Sequence, residues 1–201
     1  MKIAIFTDTF SPQINGVTKT LNKMLSFFNN NDTEYLVFAP DFSDKNSCGF
    51  KDNIQRMMSF KFFLYPECRI TVPNYHKIKH ILNDFQPDLI HLVTEFNLGL
   101  TGLNYAKRND IPLVSSYHTN FSQFLNYYKL KFLNKAAWKY LRWFHNQCQV
   151  NYCPSIYTYE ELKKKGFNNL ELWKRGINSK QFSPEYRDNN FKKRLGVNNI
   201  S

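Results

Sequence analysis

The chain has 201 residues, enough for one domain with a hydrophobic core or for one lobe of a larger protein, and 42% of them are hydrophobic, which excludes a wholly disordered chain. The formal net charge of +11 indicates an anionic partner, such as nucleic acid, an acidic membrane surface or a phosphorylated ligand. Four scattered cysteines without a C-x-x-C pair exclude a disulfide framework and favour buried thiols in a reducing compartment.

Short β-like segments alternate with helical patterns along the whole chain. Strands are predicted at 2–7, 34–40, 54–60, 87–93, 111–118, 150–155 and 170–176, and helices at 17–28, 73–86, 97–109, 121–146 and 157–165. Strands separated by helices require right-handed crossovers and therefore a parallel sheet. We predict an α/β fold with a doubly wound, mostly parallel, Rossmann-like sheet.

In such sheets, ligands bind beyond the carboxyl ends of the strands. The loops at 8–16, 94–97 and 118–121 follow three of the predicted strands, so we expect them to line one crevice. Residues 1–176 make up the predicted domain, and residues 177–201 have the composition of a linker followed by the start of another helix. This pattern predicts an interdomain linker and the beginning of a second domain.

The first candidate site is the turn before the first helix, where Asn15 and Gly16 precede Val17. Glycine lets the backbone approach a ligand closely, and the N–H groups at the start of a helix favour an anion such as phosphate. The turn matches neither G-x-G-x-x-G nor a G-K-[ST] phosphate loop. An ordinary structural turn is the alternative interpretation.

A second candidate is His118 in the segment YHTNF (117–121), where a predicted strand gives way to a helix. A histidine here can donate a hydrogen bond to a sugar hydroxyl or a phosphate, or act as an acid or base. The alternative is a histidine bonded to a neighbouring loop. Thr119 and Asn120 follow as candidate caps of the next helix. His91, inside a predicted strand, is interpreted as a core residue.

Two carboxylates stand at predicted strand ends. Asp8 could hold a sugar hydroxyl or brace its loop, and Glu95 could contact a polar ligand or cap the following helix, with the cap favoured. No pair of carboxylates is placed persuasively for hydrolysis. His76 and His80 lie four apart on a predicted helix but have no third ligand nearby, so we expect a solvated face and no metal or cofactor.

The predicted helix at 121–146 concentrates positive charge, because the chain has no Asp or Glu between Asp110 and Glu160. Four of its basic residues share one stripe flanked by two tryptophans: Lys131, Lys135, Lys139 and Arg142, with Trp138 and Trp143. Such a helix suits an anionic membrane surface, and the alternative is a solvated face of a crossover helix. No nucleic-acid-binding motif accompanies it, so nucleic acid is not an expected partner. The aromatic and basic segment 60–73 is a further candidate acceptor or membrane loop.

Five segments, in this order, resemble the amino-terminal half of retaining glycosyltransferases of family 4: KIAIFTDTFSPQINGVTKTL (2–21), YPECRITVP (65–73), HLVTEFNLGLTGLNYAKRNDIPLVSSYHTNF (91–121), YLRWFHNQC (140–148) and WKRGINSKQFSP (173–184). Those enzymes have the GT-B architecture, in which two Rossmann-like domains face a cleft. The likeness is to bacterial hexosyltransferases that use a nucleotide sugar, several of which act on membrane lipids.

The resemblance implies a role for each candidate residue. The loop with Asn15, Gly16 and Val17 would approach the donor pyrophosphate and the acceptor, His118 would lie against the transferred sugar, and Arg175 would lead into the interdomain hinge. It implies a nucleotide sugar as donor, an acceptor that can be a lipid, and no metal. Because neither a signal peptide nor a stretch of ~20 apolar residues is visible, we expect a cytoplasmic protein. A lipid acceptor would place this protein peripherally on the inner face of the membrane.

In the family, most donor contacts and an E-x7-E pair of glutamates belong to the carboxyl-terminal domain, and these 201 residues contain none of that. We therefore expect the chain alone to fold but to transfer sugar poorly. The alternative is a non-catalytic acceptor- or membrane-binding module derived from such an enzyme. A nucleotide-sugar epimerase of similar fold is a weaker hypothesis, because it gives no reason for the basic aromatic helix.

Overall fold

The computed structural model describes residues 1–42, 53–62, 65–118, 132, 134–174, 176, 182–186 and 194. In chain order the elements are β1 (Lys2–Phe6), α1 (Gly16–Asn29), β2 (Glu34–Pro40), β3 (Ile54–Met57), β4 (Ser59–Phe62), β5 (Tyr65–Thr71), α2 (Tyr75–Phe85), β6 (Leu89–Leu92), α3 (Asn97–Arg108), β7 (Leu113–Ser116), α4 (Asn134–His145), β8 (Val150–Cys153), α5 (Ile156–Lys164) and β9 (Leu170–Leu172). A single 3-10 turn follows at Pro184–Tyr186.

The central sheet has seven strands in the order β3-β2-β1-β6-β7-β8-β9, and every neighbouring pair is parallel. The predicted doubly wound α/β fold is therefore confirmed. The strand order reverses between β1 and β6, so the loops that follow these two strands diverge there and open a crevice. The predicted helix over 121–146 is observed from residue 134 to residue 145, and its first part lies outside the described residues, apart from residue 132.

Both faces of the sheet are buried, as a parallel sheet requires. Successive side chains of a strand point to opposite faces, so Ala4 and Phe6 join one cluster and Ile3 and Ile5 join the other. Leu21 and Leu25 of α1 pack against Ile3 and Ile5, and α2 and α3 cover the opposite face. The helical spacing of apolar residues, which predicted these helices, is the pattern that buries one side of each.

Helix α3 packs against its neighbours without room for a side chain at two of its positions, Gly99 and Gly102. A Cβ atom added at Gly99 would lie 1.9 Å from the carbonyl oxygen of Thr94. At Gly102 it would lie 2.7 Å from the ring of Phe6 and 2.9 Å from Leu92. These contacts leave no room for a methyl group, so the two glycines set how closely the start of α3 approaches the crevice.

The segment 54–73 differs from its prediction. A single strand was expected at 54–60, but β3 ends at Met57 and the chain then forms an antiparallel hairpin of β4 and β5. In this hairpin Phe60 lies opposite Ile70, and Ser59 lies opposite Thr71. Because β3 runs towards the carboxyl edge of the sheet, the hairpin stands at the same edge as the crevice.

Candidate functional site

The crevice at the strand-order reversal is braced by Asp8, which follows β1. Its Oδ2 accepts a hydrogen bond from Thr94 Oγ1 at 2.8 Å, and its Oδ1 accepts one from the N–H of Leu98 at 3.2 Å. The N–H of Asp8 in turn donates to Thr94 Oγ1 at 2.7 Å. Because Leu98 is in the first turn of α3, this carboxylate caps a helix that starts some ninety residues later in the chain.

Both oxygens of Asp8 are therefore occupied by the protein. The side chain is 6% exposed, and burial raises the pKa of its carboxyl above 3.8, although the hydrogen bonds from Thr94 and Leu98 oppose that shift. Of the two roles expected for Asp8, a sugar ligand or a loop brace, the geometry supports the brace.

Glu95 is buried in a different arrangement from the predicted helix cap. Its Oε1 lies 3.1 Å from Nε2 of His145 on α4, and both side chains are almost inaccessible. The N-cap residue of α3 is instead Phe96, whose side chain makes no capping hydrogen bond, and Asp8 supplies the hydrogen bond that Glu95 was expected to give. The predicted cap is thus wrong, because the buried imidazole of His145 competes for this carboxylate.

The bond between Glu95 and His145 is one end of a buried chain of hydrogen bonds. His145 Nδ1 lies 2.7 Å from Ser115 Oγ, and the Ser115 hydroxyl donates to Asn151 Oδ1. The side-chain amide of Asn151 donates to a backbone carbonyl at 2.7 Å, which fixes Oδ1 as the acceptor. The hydroxyl of Tyr140 donates to the carbonyl oxygen of Glu95.

The order of donors and acceptors determines where the protons are. The hydroxyl group of Ser115 donates its single proton to Asn151, so Nδ1 of His145 must donate to the Ser115 oxygen. A further proton must then lie between Nε2 and Glu95, as an imidazolium beside a carboxylate or as a neutral pair. In both forms the pair carries no net charge, which makes its burial tolerable and anchors the 93–97 turn to α4.

The Asn15 turn lies at the amino end of α1, at the same edge of the sheet. Asn15 Oδ1 accepts a hydrogen bond from the N–H of Thr18 at 2.9 Å, and its Nδ2 donates to Thr9 Oγ1 at 2.8 Å. Gly16 is exposed, and within the described parts of the chain no hydrogen bond engages the N–H groups of Gly16 and Val17. The turn is thus both a structural cap and an open end of a helix dipole.

His118 lies two residues beyond the end of β7, because the strand predicted at 111–118 ends at Ser116, and it is half-buried. Its ring centroid is 6.1 Å from that of Trp173, and both residues line a small hollow with Tyr117, Tyr152 and Pro154. Trp173, which follows β9, was not singled out from the sequence, since nothing in its local pattern marks it. Thr119 and Arg175 lie outside the described residues, so their predicted roles stay predictions.

His91, Cys148 and Cys153 are buried residues of the core. His91 is buried with Nε2 at 2.7 Å from Ser116 Oγ, which confirms the predicted core role, and burial lowers its pKa to about 4. Cys148 and Cys153 are free and buried, and burial raises the pKa of each thiol to about 11. In the described ranges, no three His, Cys, Asp or Glu side chains converge as metal ligands.

Helix α4 exposes the basic residues that the structure describes but buries one of its two tryptophans. Lys135, Lys139 and Arg142 are exposed, whereas Lys131 lies outside the described residues. Trp138 was expected at a membrane surface but is only 9% exposed, with its ring 6.0 Å from that of Phe167. That prediction is wrong, because the neighbouring α5 and its C-terminal turn cover this side of α4. None of the described helices is both long and apolar enough to cross a bilayer.

Residues 14–181 match glycosyltransferase family 4. The chain belongs to glycosyltransferase family 4. It is 30% identical over 194 residues, 93% of its length, to a GDP-mannose-dependent alpha-mannosyltransferase of Corynebacterium glutamicum, of which it covers 46%. It is 31% identical over 158 residues, 77% of its length, to an alpha-monoglucosyldiacylglycerol synthase of Streptococcus pneumoniae, of which it covers 35%.

The family-4 assignment confirms the resemblance predicted from the five segments. The chain spans about half the length of the curated mannosyltransferases that it matches. Among solved structures, a sucrose-phosphate synthase from Thermosynechococcus elongatus shares the fold with a TM-score of 0.64 at 11% identity, covering 98% of this chain and 53% of that one. A UDP-GlcNAc 2-epimerase from Methanocaldococcus jannaschii shares it with a TM-score of 0.52 at 11% identity, over 86% of this chain and 45% of that one.

Proposed function

We propose that this family-4 chain is the acceptor-side domain of a hexosyltransferase that moves a sugar from a nucleoside diphosphate to a lipid hydroxyl, with retention of anomeric configuration. Two relatives support the substrate classes: one is named for its dependence on GDP-mannose and another for a glucosylated diacylglycerol product. The observation that carries the proposal is the placement of the α1 amino end and His118 at one edge of a sheet in a family-4 chain.

The donor diphosphate would lie against the amino end of α1. There the N–H groups of Gly16 and Val17 point out of the helix, and the absence of a side chain at Gly16 lets phosphate oxygens approach. The leaving diphosphate gains negative charge as the glycosidic bond breaks, so donors fixed before the reaction lower its barrier. Asn15 holds this end of the helix in place through its bonds to Thr18 and Thr9.

The sugar would lie between this helix end and His118, with the imidazole donating a hydrogen bond to a sugar hydroxyl. Retention follows if the acceptor hydroxyl attacks the anomeric carbon from the face that the diphosphate leaves. The hydroxyl proton then passes to the departing phosphate oxygen. Asp8 and Glu95 do not enter this step in our proposal, because each is already engaged in bracing the crevice. No metal is needed in this scheme.

Replacing His118 tests the proposed role in the full-length enzyme. We expect His118→Ala to reduce turnover about a hundred-fold or more, which is typical for loss of one hydrogen-bond donor that acts in the transition state. Transfer is measured from GDP-mannose and from UDP-glucose to diacylglycerol in mixed micelles. The matched control is His80→Ala, which removes an exposed imidazole from α2 and should leave turnover unchanged. Unchanged turnover in His118→Ala would refute the role.

The alternative function is a non-catalytic module that binds acceptor or membrane. It predicts that no nucleotide sugar is consumed by the full-length protein, while lipid binding is retained. In both cases we infer a peripheral protein at the inner face of the membrane.

A further inference from the structure

The hairpin of β4 and β5 has its apolar residues on the outside. Phe60 lies directly opposite Ile70, and the N–H of Val72 donates to the carbonyl of Met58 at 2.8 Å, which continues the pairing by one step. These four side chains therefore share one face. They are exposed by 63% for Met58, 57% for Phe60, 44% for Ile70 and 49% for Val72. We call this face the outer hairpin face.

The inward side of the same hairpin is polar. Thr71 is fully buried, and Ser59 Oγ donates to the carbonyl of Asp41 at 2.6 Å. The guanidinium of Arg69 lies 4.5 Å from the ring centroid of Phe42 and donates to the same Asp41 carbonyl at 3.1 Å. A half-buried hairpin ordinarily turns its apolar residues inward. Here the order is reversed, and contiguous exposed apolar side chains mark an interaction surface.

Positive charge lies along one side of the outer hairpin face. At its base is a groove of about 410 Å³, lined by Met58 and Val72 together with Arg56 and Lys77. Residues 56–80 contain five Lys or Arg residues and one acidic residue, Glu67. Arg56 and Arg69 donate to backbone carbonyls, whereas Lys77 is exposed at the groove. The surface thus combines apolar side chains with cations, the chemistry that suits the boundary between lipid headgroups and acyl chains of an anionic bilayer.

The hairpin is also fixed to the proposed active site. Asn97, the first residue of α3, donates from Nδ2 to the carbonyl of Thr71 at 2.7 Å. The same turn of α3 is capped by Asp8 through Leu98. A surface that docks at the hairpin therefore lies beside the crevice at the carboxyl edge of the sheet, where an acceptor would be taken up.

We propose that the outer hairpin face docks on the surface of an anionic lipid bilayer, with Phe60 and Ile70 inserted and Lys77 beside the lipid phosphates. This proposal deepens the proposed function, on which its link to a lipid acceptor rests. A second copy of the chain is a poorer occupant, because a two-fold contact would set the same cluster of cations against itself. The docking face lies in segment 60–73 and its flanks, the further candidate membrane loop of the sequence, and not on the basic helix α4.

Vesicle co-sedimentation of the intact protein tests the docking face without depending on transfer. The vesicles contain phosphatidylglycerol and phosphatidylcholine in equal amounts, or phosphatidylcholine alone. We expect preferential binding to the anionic vesicles and a loss of about ten-fold or more in partition coefficient for Phe60→Ser combined with Ile70→Ser. The matched control combines Phe27→Ser with Ile156→Ser, since both side chains are 61% exposed elsewhere, and should bind like the wild type.

The charge is tested in the same assay. Lys77→Gln should lower binding to anionic vesicles about five-fold, whereas Lys139→Gln on α4 should change it little. Equal losses in the hairpin and control double variants, or a larger loss in Lys139→Gln than in Lys77→Gln, would overturn the proposal. So would absence of binding at low salt. A dimer in gel filtration that only the hairpin variant dissociates would assign the face to a second copy instead. Transfer activity is read separately, so failure here leaves the proposed reaction standing.

Discussion

At the residue scale, the clearest consequence of burial concerns His91. Its imidazole is buried in β6 beside Ser116, and its pKa falls to about 4 from the 6.5 of an exposed histidine. Between these values the unfolded chain binds a proton that the folded chain does not. The contribution of neutral His91 to the free energy of unfolding is therefore complete above pH 6.5 and is lost as the pH falls towards 4.

We predict that His91 alone lowers the free energy of unfolding by about 2 kcal/mol between pH 7 and pH 5. Urea denaturation of the wild type and of His91→Gln at both pH values measures this. Glutamine can still bond to Ser116 but does not titrate. Between pH 7 and pH 5, the His91→Gln variant should therefore lose about 2 kcal/mol less of its free energy of unfolding than the wild type does. Parallel pH profiles for the two proteins would contradict the assignment.

The buried carboxylates show where sequence reasoning stops at this scale. The end of β1 and the end of β6 could be located from the strand patterns, so Asp8 and Glu95 were found. Their partners could not, because Thr94 and His145 are brought to them by the strand order and by α4, which lie 86 and 50 residues away in the chain. A single sequence contains no signal for such distant pairs, and Glu95 was therefore assigned to the nearest helix.

At the scale of elements, periodicity was sufficient for most strands and helices. Apolar residues at helical spacing predicted α1, α2 and α3, and uninterrupted apolar runs predicted the buried strands, since each pattern reports which side faces the core. The β4–β5 hairpin was missed for the same reason. Its apolar residues face outward and its polar residues face inward, so the alternation of apolar and polar residues does not indicate which side of the hairpin is buried.

The close approach of α3 to the sheet gives an element-scale prediction. Alanine at Gly99 would drive its Cβ into the Thr94 carbonyl, so we expect Gly99→Ala to reduce the free energy of unfolding by about 3 kcal/mol or more. Gly102→Ala meets side chains that can move, and about 2 kcal/mol is expected. Both losses exceed the stabilisation of about 1 kcal/mol that alanine gains over glycine from its higher helix propensity.

Thermal or chemical denaturation monitored by circular dichroism measures both variants. Asn104→Ala is the matched control, because Asn104 is exposed on the same helix and alanine there should be neutral or slightly stabilising. If Gly99→Ala proved as stable as Asn104→Ala, the helix would not be held at the distance that the structure gives. Because Thr94 also bonds to Asp8, Gly99→Ala should in addition disturb the crevice.

At the scale of the whole molecule, the sheet presents one continuous carboxyl edge with the α1 amino end, the braced turn after β6, the hollow at His118 and the hairpin. The meeting of the loops after β1, β6 and β7 at this edge could be predicted, since it follows from strand direction alone, but the hairpin could not. The resemblance implies that the basic groups that neutralise a leaving diphosphate, and the paired glutamates, belong to a facing domain. The amino end of one helix supplies only a partial positive charge.

The last prediction concerns the 201 residues expressed alone. They should unfold in a single cooperative transition, since the sheet is buried on both faces, yet transfer sugar about a thousand-fold or more slowly than a complete family-4 enzyme, because loss of even one electrostatic donor costs about a hundred-fold. Sugar transfer from GDP-mannose to diacylglycerol is measured beside the full-length Corynebacterium glutamicum relative, assayed on its own acceptor. Turnover within ten-fold of that enzyme would show that this edge of the sheet stabilises the leaving diphosphate by itself, and that the facing domain serves another purpose.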